Sequence, residues 1–191
     1  MFLMNKLLKA TGFTHNFLAQ FLDNGQKVID ATSGNGQDTL FLAEAVGPSG
    51  VVYAFDIQEK ALQTTKNLLA EHDCLEQVKL IHAGHEKIKE YVQDPVQAVI
   101  YNLGYLPGGN KEIITQGETT LLSLQQGTEL LSSGGVISLI IYPGHPGGRE
   151  EAELIEVYTG TLSPRRWQVL KWSRLNGDNI NAPYVLFMLK S

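Results

Sequence analysis

Short apolar runs alternate with amphipathic segments along most of the chain. The apolar runs predict five strands, at 27–31, 51–55, 78–82, 98–101 and 136–142. Segments with helical spacing predict the helices that separate them, at 37–46, 58–71, 86–91, 117–131 and 150–161. The run at 136–142 is apolar at nearly every position, which is typical of a central strand buried on both faces. The helix at 150–161 has a strongly acidic face, which we expect to lie in solvent.

The two ends of the chain depart from this alternation. Apolar residues near the N-terminus predict a helix from Thr14 to Leu22, with Thr14 as its N-cap and Gly12 as a break before it. Near the C-terminus, the segments 167–172 and 184–189 predict two further strands. The turn-forming residues at 176–178 allow the chain to reverse, so we expect this last pair to be antiparallel.

These elements predict an α/β fold with a mostly parallel open sheet, helices on both faces and an antiparallel C-terminal strand pair. A chain of 191 residues suits one domain spanning 1–191, in which residues 1–25 form an N-terminal helical flank. Open sheets of this kind bind ligands beyond the carboxyl ends of their strands. We therefore expect the chemistry in the loops that follow the strands.

Composition narrows the class of protein further. The net charge of −5 gives no support to a broad nucleic-acid surface, but it leaves room for a local basic patch. A single cysteine, Cys74, excludes an intramolecular disulfide and suits a reducing compartment. No run approaches the roughly 18 apolar residues of a membrane span, and the first four residues are too few for a signal peptide. We expect a cytoplasmic protein without a membrane partner.

The loop after the first strand has the composition of a ligand site. Asp30 closes the strand, Gly34 and Gly36 allow close backbone approach, and a helix begins directly afterwards. Asp56 closes the second strand, about 20 residues after the glycines, where a carboxylate commonly accepts hydrogen bonds from a ribose diol. This arrangement fits either a nicotinamide dinucleotide or S-adenosylmethionine.

Two residues of this loop favour S-adenosylmethionine. Thr39 stands where a dinucleotide fingerprint needs its third glycine, and Asp38 would repel a pyrophosphate but suits a cofactor with an amino group and a sulfonium. The register Asp-x-x-x-Gly-x-Gly resembles motif I of class I methyltransferases, except that Thr32 replaces a usual glycine. An NAD-dependent oxidoreductase and a purely structural turn remain the alternatives.

Two further loops complete the predicted site. Gly84 and His85 follow the third strand, where such enzymes hold the adenine, and Gly84 breaks the spacing that a metal-binding histidine pair would need. After the fourth strand, Asn102 and Tyr105 match the first and last places of motif IV in amino-methylating enzymes, although Leu103 and Gly104 replace its two prolines. The amide oxygen can accept from an amine and aim its lone pair at a methyl donor. Alternatively, Asn102 only caps a turn.

The loop after the fifth strand, residues 143–149, contains two prolines and three glycines. We expect it to face the Asn102 loop, with His145 as a proton acceptor or as a contact to substrate. A rigid exposed loop with an incidental histidine is the alternative. Further candidate contacts are five cations for phosphate, three asparagines near the mouth and one histidine in the N-terminal segment: Lys111, Arg149, Arg165, Arg166 and Arg174; Asn176, Asn179 and Asn181; His15.

The segments 30–39, 55–58, 102–108 and 142–148 together resemble the small bacterial methyltransferases labelled rRNA methylases (YtqB-like) and associated with tRNA wobble-uridine modification. The resemblance implies a Rossmann-like class I methyltransferase fold and S-adenosyl-L-methionine as cofactor. It also implies methyl transfer to the amine of 5-aminomethyl-2-thiouridine at position 34 of tRNA. The partner is then a tRNA anticodon stem-loop.

The resemblance implies that the cofactor contacts include Asp30, Gly34, Gly36, Asp38, Thr39 and Asp56, and that Asn102 and Tyr105 lie at the acceptor. By position in the chain we add further cofactor contacts: Thr32, Asn35, Ile57, Gln58, Gly84, His85 and Asn102. The expected catalytic residues are Asn102, Tyr105 and His145. The expected substrate contacts are Tyr105, Pro107, Lys111, Tyr142, His145 and Arg149, with no metal.

Three other functions stay open at this point. The same chemistry could act on rRNA or on a small-molecule amine, and the chain could instead be an oxidoreductase or a cofactor-binding RNA module without catalysis. The strand at 167–172, with Val169 and Leu170, is either a packed edge or an edge that pairs two copies in a homodimer.

Overall fold

A seven-stranded sheet organises the structure, a computed structural model that describes residues 9–104, 114–176 and 181–191. The strands are β1 (Lys27–Asp30), β2 (Val51–Asp56), β3 (Val78–His82), β4 (Val96–Asn102), β5 (Leu131–Ile141), β6 (Trp167–Trp172) and β7 (Tyr184–Lys190). The helices are α1 (Ala10–Leu18), α2 (Gln37–Val46), α3 (Glu59–Glu71), α4 (Ile88–Tyr91), α5 (Gly117–Leu130) and α6 (Gly148–Gly160). A short 3₁₀ turn at His85–Lys87 leads into α4.

The strand order is β3-β2-β1-β4-β5-β7-β6. Strands β1 to β5 pair in parallel, whereas β7 is antiparallel to both β5 and β6. The order reverses between β1 and β4, which places a switch point at the carboxyl end of β1. The predicted α/β sheet with an antiparallel C-terminal pair is therefore confirmed.

Alternating side chains of the central strands pack into two apolar layers, one on each face of the sheet. Val28 belongs to one layer and its neighbour Ile29 to the other, and both are fully buried. Helix α1 covers part of the layer that contains Val28 through Phe13 and Phe17, whose rings lie 6.0 and 4.1 Å from that of Phe187. This packing holds the loops at the carboxyl edge on a rigid base.

The predicted N-terminal helix was misplaced by about one turn. Helix α1 covers Ala10–Leu18 and not Thr14–Leu22, and Gly12 lies inside it instead of breaking it. Lys9 occupies the N-cap position, while Thr14 is fully buried in the helix interior. Burial of the aromatic face against the sheet outweighs the roughly 1 kcal/mol that an internal glycine costs.

Strand β5 also begins earlier than the predicted Val136. Its register with β4 shifts between Val96 and Ala98, so that Leu131 pairs with Val96 and Val136 pairs with Ala98. The intervening serines and glycines therefore form an irregular strand start where the sequence predicts a turn. Across the described parts of the chain, no helix is long and apolar enough to cross a bilayer.

Candidate active site

A cavity of about 1340 Å³ opens at the carboxyl ends of β1, β2, β4 and β5. It brings together most of the predicted site residues: Thr32, Gly34, Asn35, Asp38, Asp56, Ile57, Gln58, Gly84, His85, Asn102, Tyr142 and His145. Four others, Asp30, Gly36, Thr39 and Arg149, do not line it. The predicted Tyr105, Pro107, Lys111 and Asn179 lie outside the described residues.

Asp30 supports the cofactor loop from behind. Its carboxylate is fully buried and accepts hydrogen bonds from the Thr32 amide (3.0 Å) and the Thr39 hydroxyl (2.6 Å). Burial, together with the nearby Asp38 carboxylate, raises the pKa of Asp30 to about 7. The structure thus makes Asp30 a residue that shapes the loop.

A chain of hydroxyl groups ties the same loop to α3. Ser33 Oγ lies 3.0 Å from Thr39 Oγ1 and 3.1 Å from Thr65 Oγ1, and Thr65 donates to the Gly34 carbonyl (3.1 Å). Gly36 has a φ of +84°, and a β-carbon there would come within 2.9 Å of the Thr65 backbone. Gly36 and Thr39 therefore fix the shape of the loop and leave the cavity wall to Gly34 and its neighbours.

Asp56 faces the cavity from the end of β2. Its carboxylate accepts from the backbone amides of Gly34 (2.9 Å) and Gln58 (2.8 Å), which fix its orientation. Each carboxylate oxygen has a second lone pair, so the group can also accept from hydroxyls of a ligand. This agrees with the ribose-binding role that the sequence predicts.

The two histidines after β3 have separate positions. His85 is buried, its Nδ1 lies 3.3 Å from the Ala31 carbonyl, and burial lowers its pKa so that the ring is neutral near pH 7. The exposed His82 donates from Nε2 to the Ile57 carbonyl (3.0 Å). His85 lines the cavity and His82 does not. Among the residues that the structure describes, no three potential metal ligands cluster.

Thr32 joins the cofactor loop to the end of β4. Its hydroxyl accepts a hydrogen bond from the backbone amide of Asn102 at 2.7 Å. A glycine, which is usual at this place in motif I, has no side chain to make this bond. The threonine at this place therefore has a structural effect, since it holds Asn102 against the cofactor loop.

Asp38 links α1 to Asn102. It is 5% exposed and accepts from His15 Nε2 (2.5 Å) and from Asn102 Nδ2 (2.9 Å). Because a carboxylate accepts but does not donate, the amide NH₂ of Asn102 must face Asp38, and its Oδ1 must point the other way. The His15 ring is itself held by stacking on Phe41, with centroids 4.1 Å apart.

The loop after β5 lies directly against the loop after β4, as predicted. A β-carbon on Gly104 would come within 3.6 Å of the His145 ring. His145 Nδ1 donates to the Pro146 carbonyl (2.8 Å), while Nε2 is buried without a hydrogen-bond partner in the described structure. That Nε2 atom lies 3.8 Å from a carboxylate oxygen of Glu151.

Glu151 does not belong to the exposed acidic face of α6 that Glu150, Glu153 and Glu156 form. It is 1% exposed and accepts from the hydroxyls of Thr120 (2.7 Å) and Thr115 (3.0 Å). Thr115 Oγ1 in turn accepts from the Gly104 amide (2.9 Å). Burial raises the pKa of Glu151. Its spacing of four from the core residue Ile155 is the signal that places it on the buried face.

Several residues at the mouth were not predicted as a group. The start of α1 contributes Lys9, Thr11, Gly12, His15 and Asn16, the segment before α5 contributes Ile114, Thr115 and Gln116, and the first turn of α5 contributes Thr119. Of the candidate mouth asparagines, Asn181 lines the cavity, and the exposed Arg149 donates to its Oδ1 (2.9 Å). Tyr142 is half-buried at the edge, and burial raises its pKa.

Comparison with known proteins identifies the family of the chain. The family described as "Putative rRNA methylase" matches residues 52–190. A protein of Arabidopsis thaliana named "tRNA (mnm(5)s(2)U34)-methyltransferase, chloroplastic" is 44% identical over 195 aligned residues, which cover 95% of this chain and 69% of that protein.

Two solved structures share the fold over nearly their whole length. One, described as a putative rRNA-methylase from Clostridium thermocellum, has 38% identity and a TM-score of 0.92, covering 96% of this chain and 98% of the other. The second is a putative methyltransferase from Streptococcus mutans in complex with SAH, with 36% identity, a TM-score of 0.86 and the same coverage. The chain therefore belongs to the "Putative rRNA methylase" family and has the fold of class I S-adenosylmethionine-dependent methyltransferases.

Proposed function

We propose that the protein is an S-adenosyl-L-methionine-dependent N-methyltransferase that converts 5-aminomethyl-2-thiouridine to 5-methylaminomethyl-2-thiouridine at position 34 of tRNA. One structural observation carries the proposal: Asp38 binds the NH₂ of Asn102 and leaves its Oδ1 as an acceptor facing away from Asp38. An amide oxygen held in this way suits an acceptor amine. The named activity of the Arabidopsis relative supplies the identity of that amine.

The residues around the cavity fit S-adenosylmethionine. Asp56 offers carboxylate lone pairs to a ribose diol, and Gly34 and Asn35 line the wall beside it. When bound, the cofactor supplies an activated methyl group on a sulfonium centre. Asp38, at the start of α2, opposes a pyrophosphate at this helix end, and Thr39 occupies the place of the third glycine. These two residues disfavour the oxidoreductase alternative.

The acceptor amine must lose a proton before it can attack a methyl group, since an alkylammonium of lysine type has a pKa of about 10.4. Transfer into a cavity lined partly by apolar groups favours the neutral amine. We propose that His145 takes the proton. A proton on Nε2 would face the carboxyl group of Glu151, which lies 3.8 Å away.

We further propose that the substrate is the anticodon stem-loop of tRNA, with position 34 turned out of its stack into the cavity. An acidic chain with a net charge of −5 suits a small RNA footprint such as one loop, because each phosphate contact requires a cation. Single-stranded loops also expose base edges and faces that a helix hides. Tyr105, Pro107, Lys111 and Arg149 remain proposed substrate contacts.

The family description names rRNA, which supports a second candidate function, methylation of ribosomal RNA. The same acceptor geometry would serve an exocyclic amine on either RNA. Nucleoside analysis of both RNAs from one strain separates the two candidates.

The experiment is mass spectrometry of nucleosides from tRNA and rRNA of a strain that lacks this gene. We expect 5-aminomethyl-2-thiouridine to accumulate in tRNA, while rRNA nucleosides stay unchanged. Wild-type protein restores the methylated nucleoside, and the Asn102→Ala variant, expressed at the same level, does not. Unchanged tRNA nucleosides together with the loss of a methyl group from rRNA would contradict the tRNA proposal and favour ribosomal RNA as the substrate.

For the whole molecule we propose one domain that acts in the cytoplasm as a homodimer. Strand β6 is an edge of the sheet, and Val169 and Leu170 on it are 37% and 47% exposed. An exposed edge with apolar side chains pairs readily with a second copy. Light scattering after gel filtration is expected to give the dimer mass, and Leu170→Lys the monomer mass. A wild-type monomer contradicts this arrangement.

A further inference from the structure

A smaller groove of about 350 Å³ adjoins the cavity. The start of α1, the end of β5, the end of β6 and the segment before β7 form its walls, and we call it the side groove: Lys9, Ala10, Thr11, Tyr142, Trp172, Arg174, Ala182 and Pro183. Lys9, Thr11 and Tyr142 line both spaces. The two spaces therefore adjoin along these three residues.

The side groove is positively charged within an acidic molecule. Among the described residues that line it there is no aspartate or glutamate, and two of them, Lys9 and Arg174, are cations. Within the described residues neither cation forms an ion pair, whereas Lys27, Lys89 and Lys171 are each paired with a carboxylate. Two such cations beside a cavity favour an anionic ligand.

The other wall of the side groove is apolar and rigid. The Trp172 ring stacks on Phe13, with centroids 4.6 Å apart and planes inclined by 14°. Tyr142 is half-buried, and its raised pKa keeps the hydroxyl neutral. Aromatic side chains fixed in this way provide surfaces for a base or a ribose, and the cations provide contacts for a phosphate.

We propose that the side groove binds the nucleotide next to the one whose base enters the cavity, with its phosphate on Lys9 and Arg174. The inference rests on the proposed function, since it takes the occupant to be a single-stranded segment of RNA. A target base turned out of its stack leaves its neighbour unstacked, and such a neighbour needs an aromatic surface and a phosphate contact. The side groove offers both, directly beside the cavity.

The test compares two double variants that remove the same charge. Lys9→Ala/Arg174→Ala removes the cations of the side groove. Arg165→Ala/Arg166→Ala is the matched control. These residues lie just before the first residue of β6, whereas the side groove lies at the last residue of the strand, Trp172. Binding of an anticodon stem-loop RNA to the full-length protein is measured by fluorescence anisotropy across a range of salt concentrations.

We expect the side-groove variant to bind the RNA about tenfold more weakly and to lower the salt slope by about 0.7, since each phosphate neutralised on a single strand contributes about 0.7 and the two cations share one phosphate. The control variant and the affinity for S-adenosylmethionine should be unchanged. Equal weakening by both variants, or an unchanged salt slope in the side-groove variant, overturns the inference. Binding is measured without methyl transfer, so an absence of methylation by the wild type would count against the proposed function alone.

Discussion

Asp38 shows how a residue can be placed correctly by sequence and still act through different contacts. The sequence predicts that its carboxylate faces the cofactor. In the structure both oxygens bind other side chains, His15 on one and Asn102 on the other. The negative charge still lies beside the cavity, but its direct effect is to orient the acceptor amide and to hold α1 over the site.

Asn102 carries the central prediction at the residue scale. Asn102→Ala removes the oxygen that we propose accepts from the amine, so turnover should fall about 100-fold while the affinity for S-adenosylmethionine stays close to that of the wild type. Calorimetry and methyl-transfer rates at saturating RNA measure the two quantities. Gln97→Ala, which removes an amide side chain early in the same strand, is the control and should leave both unchanged. Loss of cofactor affinity in step with turnover would contradict the assigned role.

Asp30 predicts a pH dependence of stability. Its pKa is about 7 in the folded protein and 3.8 when unperturbed, so between these values the folded state binds more protons than the unfolded state. The free energy of unfolding should therefore fall as the pH rises from about 4 to 7, by an amount on the order of a few kcal/mol. Asp30→Asn, which retains the size and one of the two acceptor oxygens, should remove this trend.

Urea unfolding of both proteins between pH 4 and 8 measures the effect of Asp30. Asp94→Asn is a control of opposite sign, because the ion pair with Lys27 lowers the pKa of Asp94. The difference between the wild type and the Asp94 variant should be constant above pH 4 and shrink only below it. Parallel curves for the wild type and Asp30→Asn would show that Asp30 titrates normally.

At the scale of elements, helix α6 joins the two loops that form the acceptor side. Glu151 on α6 holds Thr115, which binds the Gly104 amide after β4, and it faces His145 after β5. Loss of this carboxylate frees both loops at once.

Glu151→Ala should lower turnover by at least about tenfold, because displacement of a positioned group by about 1 Å is enough for a loss of this size. The affinity for S-adenosylmethionine should change little, since Glu151 does not line the cavity. The neighbouring Glu150→Ala, an exposed residue on the same helix, is the control and should behave like the wild type. Full turnover in a folded Glu151→Ala protein would exclude a positioning role.

Sequence periodicity predicted the strands and most helices, because burial of both sheet faces requires apolar residues at regular positions in each of these elements. It misplaced α1 because Gly12, directly before Phe13, is typical of a helix break, whereas in the structure the packing of Phe13 and Phe17 on Phe187 outweighs the cost of this glycine. It missed Glu151 because a single buried acid in an acidic helix looks like its exposed neighbours. Long-range partners such as Thr115 and Thr120 decide such a case, and no local pattern encodes them.

At the scale of the whole molecule, the residues with chemical roles lie at one edge of the sheet. The cofactor loop, Asn102 and His145 follow parallel strands, and β6 ends at the same edge because it runs parallel to β5. This topology brings the cations of the side groove next to the cavity, whereas Arg165 and Arg166 precede β6 and lie at the other end of that strand. The sequence predicted the cofactor loops well, because glycines and acidic residues at the ends of strands are a local signal for such loops. The mouth, assembled from α1, β5 and β6, depends on packing between distant segments.

The most direct test of the central claim is methyl transfer by the purified protein. S-adenosylmethionine with a labelled methyl group is supplied with tRNA that carries 5-aminomethyl-2-thiouridine at position 34, with the same tRNA lacking the aminomethyl group, and with ribosomal RNA. We expect one labelled methyl group per modified tRNA, recovered as 5-methylaminomethyl-2-thiouridine, and none on the other two RNAs. Transfer to ribosomal RNA, or to tRNA that lacks the amine, would contradict it.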